Sequence, residues 1–235
     1  MHGMNIMGCH SILELQEKVL ASSGSFQELM QYLTVPVSSM FRDPAYYLAL
    51  REKVLPHLKT YPSLKIWVAG CSTGEEVYSI AILLKEEDLL DRTILYATDI
   101  NKKSLEKAEN GVYSLEEIRK IEPAYLQSGG RRQLLDYGTI INDTVKLDHH
   151  LRKNIIFSEH SLVSDAVFSE TQLISCRNVL IYFEQSLQNR VLGLFEDSLC
   201  RKGFLGLGSK ETMQFSNYAK NFDSFAREER IFQKK

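Results

Sequence analysis

Short apolar runs alternate along the chain with amphipathic segments of helical period. Apolar runs bounded by turn residues are typical of buried strands, whereas apolar positions recurring every three or four residues are typical of helices that cover a sheet. The predicted strands are 66–69, 93–99, 154–160, 172–176, 204–208 and 230–235, and the predicted helices are 46–58, 74–85, 102–109 and 185–201. This alternation predicts a doubly wound α/β domain.

The first residues of the chain carry a different pattern. Apolar side chains at helical spacing predict a short amphipathic helix over 11–22, and a capping box from Ser25 to Glu28 predicts a second one over 25–33. Two helices of this length bury little by themselves, so we expect them to lean on the main domain. Residues 35–44 contain prolines and should form an extended linker rather than a helix.

Residues 113–150 have the least regular pattern. A helical stretch over 115–121 is followed by turn residues and by two short β-prone pieces at 139–141 and 144–147. This composition predicts a small β insertion within the domain.

A glycine-bounded loop follows the first strand and leads directly into a helix. The loop runs from Gly70 to Gly74, and Glu75 and Glu76 occupy the first helical turn. Such strand–loop–helix units place their ligands beyond the carboxyl ends of the strands. A helix N-terminus ordinarily attracts phosphate, but two carboxylates already present there would repel it. The loop therefore favours a phosphate-free cation with hydroxyl groups, such as S-adenosylmethionine (SAM).

The next strand ends in an acid that suits the same ligand. Asp99 closes the apolar run 93–99, where a carboxylate can accept hydrogen bonds from both ribose hydroxyls. The same acid serves NAD in dehydrogenases, so the loop rather than Asp99 decides for SAM. The alternative is that Glu75 and Asp99 are only helix-capping and turn residues.

Composition narrows the class of protein. The chain has 235 residues, 44% of them hydrophobic, and a formal net charge of −2, with acids and bases interspersed. One α/β domain with a small appendage fits this length, and the charge argues against a nucleic-acid groove. The four cysteines lack metal-like spacing, and neither a signal peptide nor a membrane span is evident. We therefore expect a reduced, cytoplasmic protein.

The histidines do not predict catalysis or metal binding. His160 stands at a strand end without an accompanying nucleophile, so we interpret it as a packing or capping residue. His149 and His150 have no third ligand at zinc-like spacing, and no metal is predicted.

Four motifs together carry a resemblance to a known family. They are 41–44 (FRDP), 67–79 (WVAGCSTGEEVYS), 97–100 (ATDI) and 176–183 (CRNVLIYF). In this order they resemble the chemotaxis receptor methyltransferases of the CheR type, from about Thr34 to the C-terminus. The resemblance implies a Rossmann-like class I SAM-dependent methyltransferase fold, with a mostly parallel sheet and one antiparallel strand. It divides the chain into a shortened N-terminal helical segment (1–34), a contact-bearing linker (35–44) and the methyltransferase domain (45–235), with the insertion at 113–150.

The resemblance also implies a site. Arg42 and Tyr182 would be catalytic, and the residues expected to bind the cofactor are Ser38, Arg42, Gly70, Cys71, Glu75, Asp99, Ile100, Ser161, Leu162, Cys176 and Arg177. Glu75 would hold the SAM amino group, Asp99 the ribose, and Cys176 and Arg177 the methionine end. The alternatives are a surface ion pair for Arg42 and a core position for Tyr182.

This chain departs from the family at several positions. Ser38 stands where the family has threonine, Pro36 where some members have asparagine, and Ser161 where asparagine is usual near the adenine. The basic helix that faces the receptor in the family is absent, since residues 1–33 hold one basic residue, Lys18. A SAM-binding docking module without catalysis, or a methyltransferase for another carboxylate, are therefore the alternative functions.

The function implied is methyl transfer from SAM to glutamate side chains of methyl-accepting receptors, with S-adenosylhomocysteine (SAH) as product. A glutamate carboxylate has a pKa of about 4.3 and is already anionic at neutral pH, so no general base is required. Arg42 and Tyr182 would then align the reacting atoms. Arg42 would pair either with the acceptor carboxylate or with the carboxylate of SAM, and the sequence does not distinguish the two. The expected partners are the cytoplasmic domains of methyl-accepting receptors. We expect the protein to act as a monomer that neither inserts into the membrane nor binds nucleic acid, and to need no tether at the receptor tail.

Overall fold

The computed structural model of the chain describes residues 7–22, 24, 25, 29 and 38–235. The first predicted helix is confirmed as α1 (Ile12–Ala21), which begins after Ser11, whose hydroxyl accepts a hydrogen bond from the Glu14 amide. None of its side chains is buried. The helix predicted over 25–33 falls largely, and Pro36 wholly, outside the described residues.

Ten strands lie in the described part of the chain. They are β1 (Leu64–Ala69), β2 (Thr93–Asp99), β3 (Val112–Ser114), β4 (Gly138–Ile141), β5 (Thr144–Leu147), β6 (Ile155–Glu159), β7 (Thr171–Cys176), β8 (Leu199–Leu207), β9 (Phe222–Ala226) and β10 (Ile231–Lys234). Seven of them form one sheet in the order β6-β2-β1-β7-β8-β10-β9. Strand β10 alone runs in the opposite direction to the other six strands of this sheet. The mostly parallel sheet with one antiparallel strand is thus confirmed.

Helices cover both faces of this sheet. They are α2 (Pro44–Ala49), which continues through a π-helical turn (Leu50–Val54) into α3 (Leu55–Leu58), then α4 (Glu75–Glu86), α5 (Lys102–Asn110), α6 (Leu115–Gln127), α7 (His149–Arg152) and α8 (Gln185–Ser198). Helices α2 to α7 contribute to the apolar cluster on one face, and α8 to the cluster on the other. Trp67 of β1 is fully buried in the second cluster, with its ring 5.3 Å from that of Phe195. The core therefore lies on both faces of the central strands. Strands that are buried on both faces have continuous apolar runs in the sequence, as these strands do.

The boundary between α8 and β8 differs from the prediction. We expected the helix to reach 201 and the strand to start at 204, but α8 ends at Ser198 and β8 begins at Leu199. Thr171 pairs with Leu199 and Leu173 with Phe204, so β8 bulges between these pairs. Apolar Leu199 continues the helical spacing, which is why the pattern misplaced this boundary.

The insertion contains a second, smaller sheet. Strands β3, β5 and β4 form an antiparallel sheet in that order, within the segment where the sequence predicted short β-strands. Helix α6 connects β3 to this hairpin and extends to Gln127, six residues beyond the predicted end at 121. The small sheet therefore lies outside the main sheet rather than extending it.

The carboxyl ends of β1, β2, β6 and β7 meet at one edge of the main sheet. Loops that follow these parallel strands begin at Gly70, Ile100, His160 and Arg177, and this edge is where ligands bind in open α/β sheets. Of the helices in the described part of the chain, none has both the length and the apolar character needed to cross a membrane.

Candidate active site

A cavity of about 520 Å³ opens at this edge of the sheet. Residues from the linker, from the loops after β1, β2 and β6, and from the loop after β7 line it together. The predicted site residues found in its lining are Ser38, Arg42, Gly70, Cys71, Asp99, Ile100, Ser161, Leu162, Arg177 and Tyr182. Segments far apart in the sequence thus converge on one space, as expected for a site at strand ends.

The glycine loop forms one wall of the cavity. Gly70 has a φ of +71°, and a Cβ at this position would come within 2.5 Å of the Val179 side chain. Both reasons require glycine. The amides of Gly70 and Cys71 donate to the Thr98 carbonyl at 2.8 and 2.9 Å, which ties the loop to β2. Burial raises the pKa of the Cys71 thiol, so this cysteine lines the cavity as a neutral side chain.

Asp99 is held in a fixed orientation at the end of β2. Its Oδ2 accepts from the Ser72 amide and its Oδ1 from the Asn101 amide, both at 2.8 Å. Burial raises the pKa of this carboxyl, while the two amides act in the opposite direction. Each oxygen has a second lone pair, so the carboxylate can still accept bonds from hydroxyl groups of a ligand.

The two glutamates of the α4 N-terminus have different environments. The carboxylate of Glu75, predicted to hold the cofactor, accepts from the Thr73 hydroxyl at 2.7 and 2.8 Å and is not in the cavity lining. Glu76 is in the lining instead. Its Oε1 accepts from the Ser175 hydroxyl at 2.6 Å, and its Oε2 lies 3.4 Å from a guanidinium nitrogen of Arg177. Adjacent residues on a helix point about 100° apart, which agrees with the presence of Glu76 and not of Glu75 in the lining.

The same distinction separates Cys176 from Arg177. Cys176 is completely buried in the apolar cluster beneath α8 and is not in the lining, because successive residues at a strand end point to opposite sides. Arg177 lines the cavity although its side chain is only 1% exposed. Its guanidinium pairs with Asp43 at 2.7 Å and lies 4.2 Å from the centre of the Tyr46 ring.

The linker presents Arg42 at the mouth of the cavity through a strained backbone. Phe41 and Asp43, on either side of Arg42, have φ values of 52° and 59°, which are unusual for residues other than glycine. Phe41 is fully buried and its amide donates to the Ser79 hydroxyl at 2.9 Å. The Arg42 carbonyl accepts from Arg177 at 3.1 Å, so both ends of this turn are anchored.

Tyr182 lies on a short helical turn after β7 and is 64% exposed. This exposure excludes the alternative that it is a core tyrosine. Tyr182 also lines the cavity, so this side chain borders both the cavity and solvent.

His160 has the packing role that we predicted. Its ring stands edge-on to that of Trp67, with 5.3 Å between the ring centroids, and 91% of the residue is buried (9% exposed). It also contributes to the lining beside Ser161, whose amide donates to the Asp165 carboxylate at 2.8 Å. The latter bond shapes the loop that carries Ser161 and Leu162.

Several lining residues were not predicted. They are Ser39, Ser72, Glu76, Ser104, His160, Val163, Asn178, Val179, Ile181 and Phe183. For Glu76 the signal was present, since it stands beside Glu75 in the motif, but spacing does not reveal which helix face meets the cavity. For Asn178 the sequence contained no such signal, because its φ of 61°, which shapes the loop after β7, is known only from the structure.

Comparison with known proteins gives consistent matches. The family model described as "CheR methyltransferase, SAM binding domain" matches residues 36–228. A Pseudomonas putida protein with the name Cher3 is 54% identical over 234 residues, which cover 100% of this chain and 86% of that protein. The chemotaxis protein methyltransferase of Borreliella burgdorferi is 30% identical over 225 residues, which cover 90% of this chain and 77% of that protein. The chemotaxis protein methyltransferase of Salmonella typhimurium is 32% identical over 206 residues, which cover 86% of this chain and 68% of that protein.

Proposed function

This chain belongs to the CheR methyltransferase family, and we propose that it transfers a methyl group from SAM to glutamate side chains of chemotaxis receptors, giving glutamate methyl esters. One observation carries the proposal. A single cavity is lined by two carboxylates, Glu76 and Asp99, which suit a cation bearing a ribose, and also by Arg42 and Tyr182, which suit an incoming carboxylate.

The residues of the cavity fit SAM. The Asp99 carboxylate would accept the ribose hydroxyls, and the Glu76 carboxylate, rather than that of Glu75, would hold the ammonium group. Gly70 has no Cβ, which lets the Val179 side chain pack against the glycine loop and close this part of the cavity wall. When bound, SAM supplies an electrophilic methyl group on a sulfonium.

Arg42 and Tyr182 would hold the acceptor. The Arg42 guanidinium attracts a glutamate carboxylate to the mouth of the cavity, and the Tyr182 hydroxyl donates a hydrogen bond that orients it. Because the carboxylate is already anionic at neutral pH, none of these residues has to remove a proton. Their contribution is alignment of oxygen, carbon and sulfur, which can lower the barrier by several kcal/mol.

The proposed partners are the cytoplasmic domains of methyl-accepting receptors, which a monomer of this protein would meet on the cytoplasmic side of the membrane. The proposed division of labour assigns residues 35–44 to cofactor and acceptor contacts and 45–235 to the methyltransferase domain. We propose no nucleic-acid partner, because acidic and basic residues are nearly balanced at a net charge of −2 and nucleic-acid binding favours an excess of basic residues.

Transfer of radiolabelled methyl groups from SAM to receptor cytoplasmic fragments tests the proposal. We expect label that is released by mild base, as methyl esters are, and that maps to glutamate. Label on glutamine or lysine would contradict a carboxylate acceptor. An intact protein that binds SAM and labels no receptor fragment would instead favour the docking-module alternative.

Two substitutions separate cofactor binding from turnover. Asp99→Ala should abolish SAM binding in calorimetry, because the hydroxyl acceptor is lost. Tyr182→Phe should leave the SAM dissociation constant unchanged and lower kcat about 10- to 100-fold, the effect of one hydrogen bond to a charged group. Equal loss of SAM binding in both variants would disprove the separate roles, provided that circular dichroism shows both to be folded.

A further inference from the structure

A buried carboxylate lies behind the loop that carries Tyr182. Glu211 follows the end of β8 and is 4% exposed. Its two oxygens accept hydrogen bonds from backbone amides only. The donors are Val179 (2.8 Å), Leu180 (2.7 Å) and Ile181 (3.3 Å) to Oε1, and Asn178 (3.0 Å) and Gly208 (2.6 Å) to Oε2.

These bonds determine the conformation of the loop after β7. Asn178 has a φ of 61°, and the amides of the four residues 178–181 converge on one point. Such a concave arrangement of N–H groups is stable when it encloses an anion, because buried amides without an acceptor are costly. In the described part of the chain, the anion that accepts hydrogen bonds from these amides is the carboxylate of Glu211.

The loop held in this way forms much of the cavity wall. Asn178, Val179, Ile181 and Tyr182 all line the cavity. Val179 also occupies the space next to Gly70, so the loop after β7 rests against the glycine loop after β1. A change in the path of residues 178–181 would therefore move the Tyr182 hydroxyl relative to the bound cofactor.

We propose that Glu211 is a positioning residue for methyl transfer, acting through Tyr182; this inference rests on the proposed function. Glu211 does not line the cavity. It holds the backbone of 178–181 so that the Tyr182 hydroxyl faces the acceptor carboxylate. A carboxylate suits this role better than an amide, since all five of its partners are donors and a glutamine would direct two N–H groups towards them.

Kinetics of Glu211→Gln test the proposal, with Glu122→Gln as a matched control. Glu122 also accepts a backbone amide, that of Leu134 at 3.0 and 3.1 Å, but it lies on α6 in the insertion. We expect Glu211→Gln to lower kcat for receptor methylation at least tenfold while the dissociation constant of SAH changes less than threefold. The control should keep the wild-type kcat. A wild-type kcat for folded Glu211→Gln, with only a lower Tm, would overturn the proposal.

A double-mutant cycle with Tyr182→Phe identifies the route of the effect. If Glu211 acts through the Tyr182 hydroxyl, the double variant should be no more than about twofold slower than Tyr182→Phe alone. Multiplication of the two losses would overturn the assignment. Should Glu211→Gln fail to fold, Glu211→Asp replaces it, because it retains the charge on a shorter side chain; it should then show a reduced kcat, and a wild-type kcat would overturn the proposal.

The two hypotheses fail in different ways. A folded wild-type protein that binds SAH without labelling receptor glutamates would contradict the proposed function. Label on receptor glutamates by the wild type, combined with independent effects of Glu211 and Tyr182, would contradict only the role of Glu211.

Discussion

Arg177 is the most deeply buried charge of the cavity wall, and its partners define the charge of the site. Its side chain is 1% exposed, and it lies between the carboxylates of Asp43 and Glu76 while stacking on Tyr46. A buried guanidinium requires such compensation. Burial raises the pKa of Glu76, and Arg177 and the Ser175 hydroxyl act against that shift. Because Glu76 lines the cavity, we propose that it is the carboxylate at the start of α4 that would hold the ammonium group of SAM.

A pair of substitutions tests this assignment. Glu76→Gln should weaken SAM binding by roughly 10- to 100-fold, because a charge-assisted bond to the ammonium is worth about 1.5–3 kcal/mol. Glu75→Gln should change it less than about twofold, since the Glu75 carboxylate is bonded to the Thr73 hydroxyl outside the lining. Isothermal calorimetry at pH 7 measures both, and the reverse order of effects would show that the sequence-based assignment to Glu75 is correct.

At the scale of elements, the C-terminus of α4 joins the insertion to the main domain. Glu86 pairs with Arg51 at 2.5 Å and accepts from the hydroxyls of Tyr125 (2.7 Å) and Tyr137 (3.0 Å). Glu87 pairs with Arg51 at 2.9 Å and with Arg131 at 2.7 Å. The two carboxylates thus connect α2 and its π-helical turn, α6 and the segment before β4. This network holds the small sheet in place beside the cavity-bearing domain.

The network predicts a pH dependence of stability. Burial tends to raise the pKa of Glu86 and of Glu87, but hydrogen bonds from Arg131, Arg51 and Lys59 outweigh it, and both pKa values are lowered. A lowered folded-state pKa stabilises the protein fully above the ordinary glutamate pKa of about 4.3, and this contribution is lost as the pH falls through the folded-state pKa.

Urea unfolding at pH 7 and at steps down to pH 3 measures this effect. Glu86→Gln should lower the free energy of unfolding at pH 7 by roughly 3 kcal/mol, since it removes one partner of a buried pair. It should also flatten the decline of that free energy at acid pH. A variant whose curve runs parallel to that of the wild type would refute the network's role in acid sensitivity.

At the scale of the whole molecule, the cavity is lined by parts of the chain that lie far apart in the sequence. The linker, the loops after β1, β2 and β6 and the loop after β7 each supply lining residues. A ligand bound among them links the N-terminal side of the domain to its central strands, and it binds the folded state only. Occupation of the site should therefore stabilise the entire domain through mass action.

Thermal unfolding with SAH checks this expectation. At a concentration 100-fold above the dissociation constant the ligand adds about 2.7 kcal/mol, which for a chain of 235 residues corresponds to a Tm increase of about 5–10 °C. Asp99→Ala should show no increase. An equal increase in that variant would place the bound ligand elsewhere.

The sequence by itself determined the type and order of most elements, although it did not predict β3, α7 or β9. The second strand was predicted at 93–99 and is β2 (Thr93–Asp99), and Asn101, a residue type typical of helix N-termini, caps α5 through a 3.2 Å bond from the Ser104 amide. These features depend on apolar periodicity and on capping within a few residues, so they are legible locally. The glycine loop and the acid at the end of β2 likewise follow from strand ends, and they identified the edge where the cavity lies.

Only the tertiary structure decided which side chains form the site. It brought Glu76 rather than Glu75 and Arg177 rather than Cys176 into the lining, and it enclosed Glu211 behind Tyr182. These outcomes depend on contacts across long sequence separations, such as the pair of Arg177 and Asp43, 134 residues apart. A local pattern specifies that a helix or a strand end exists, but the direction of each side chain depends on how the elements pack around it.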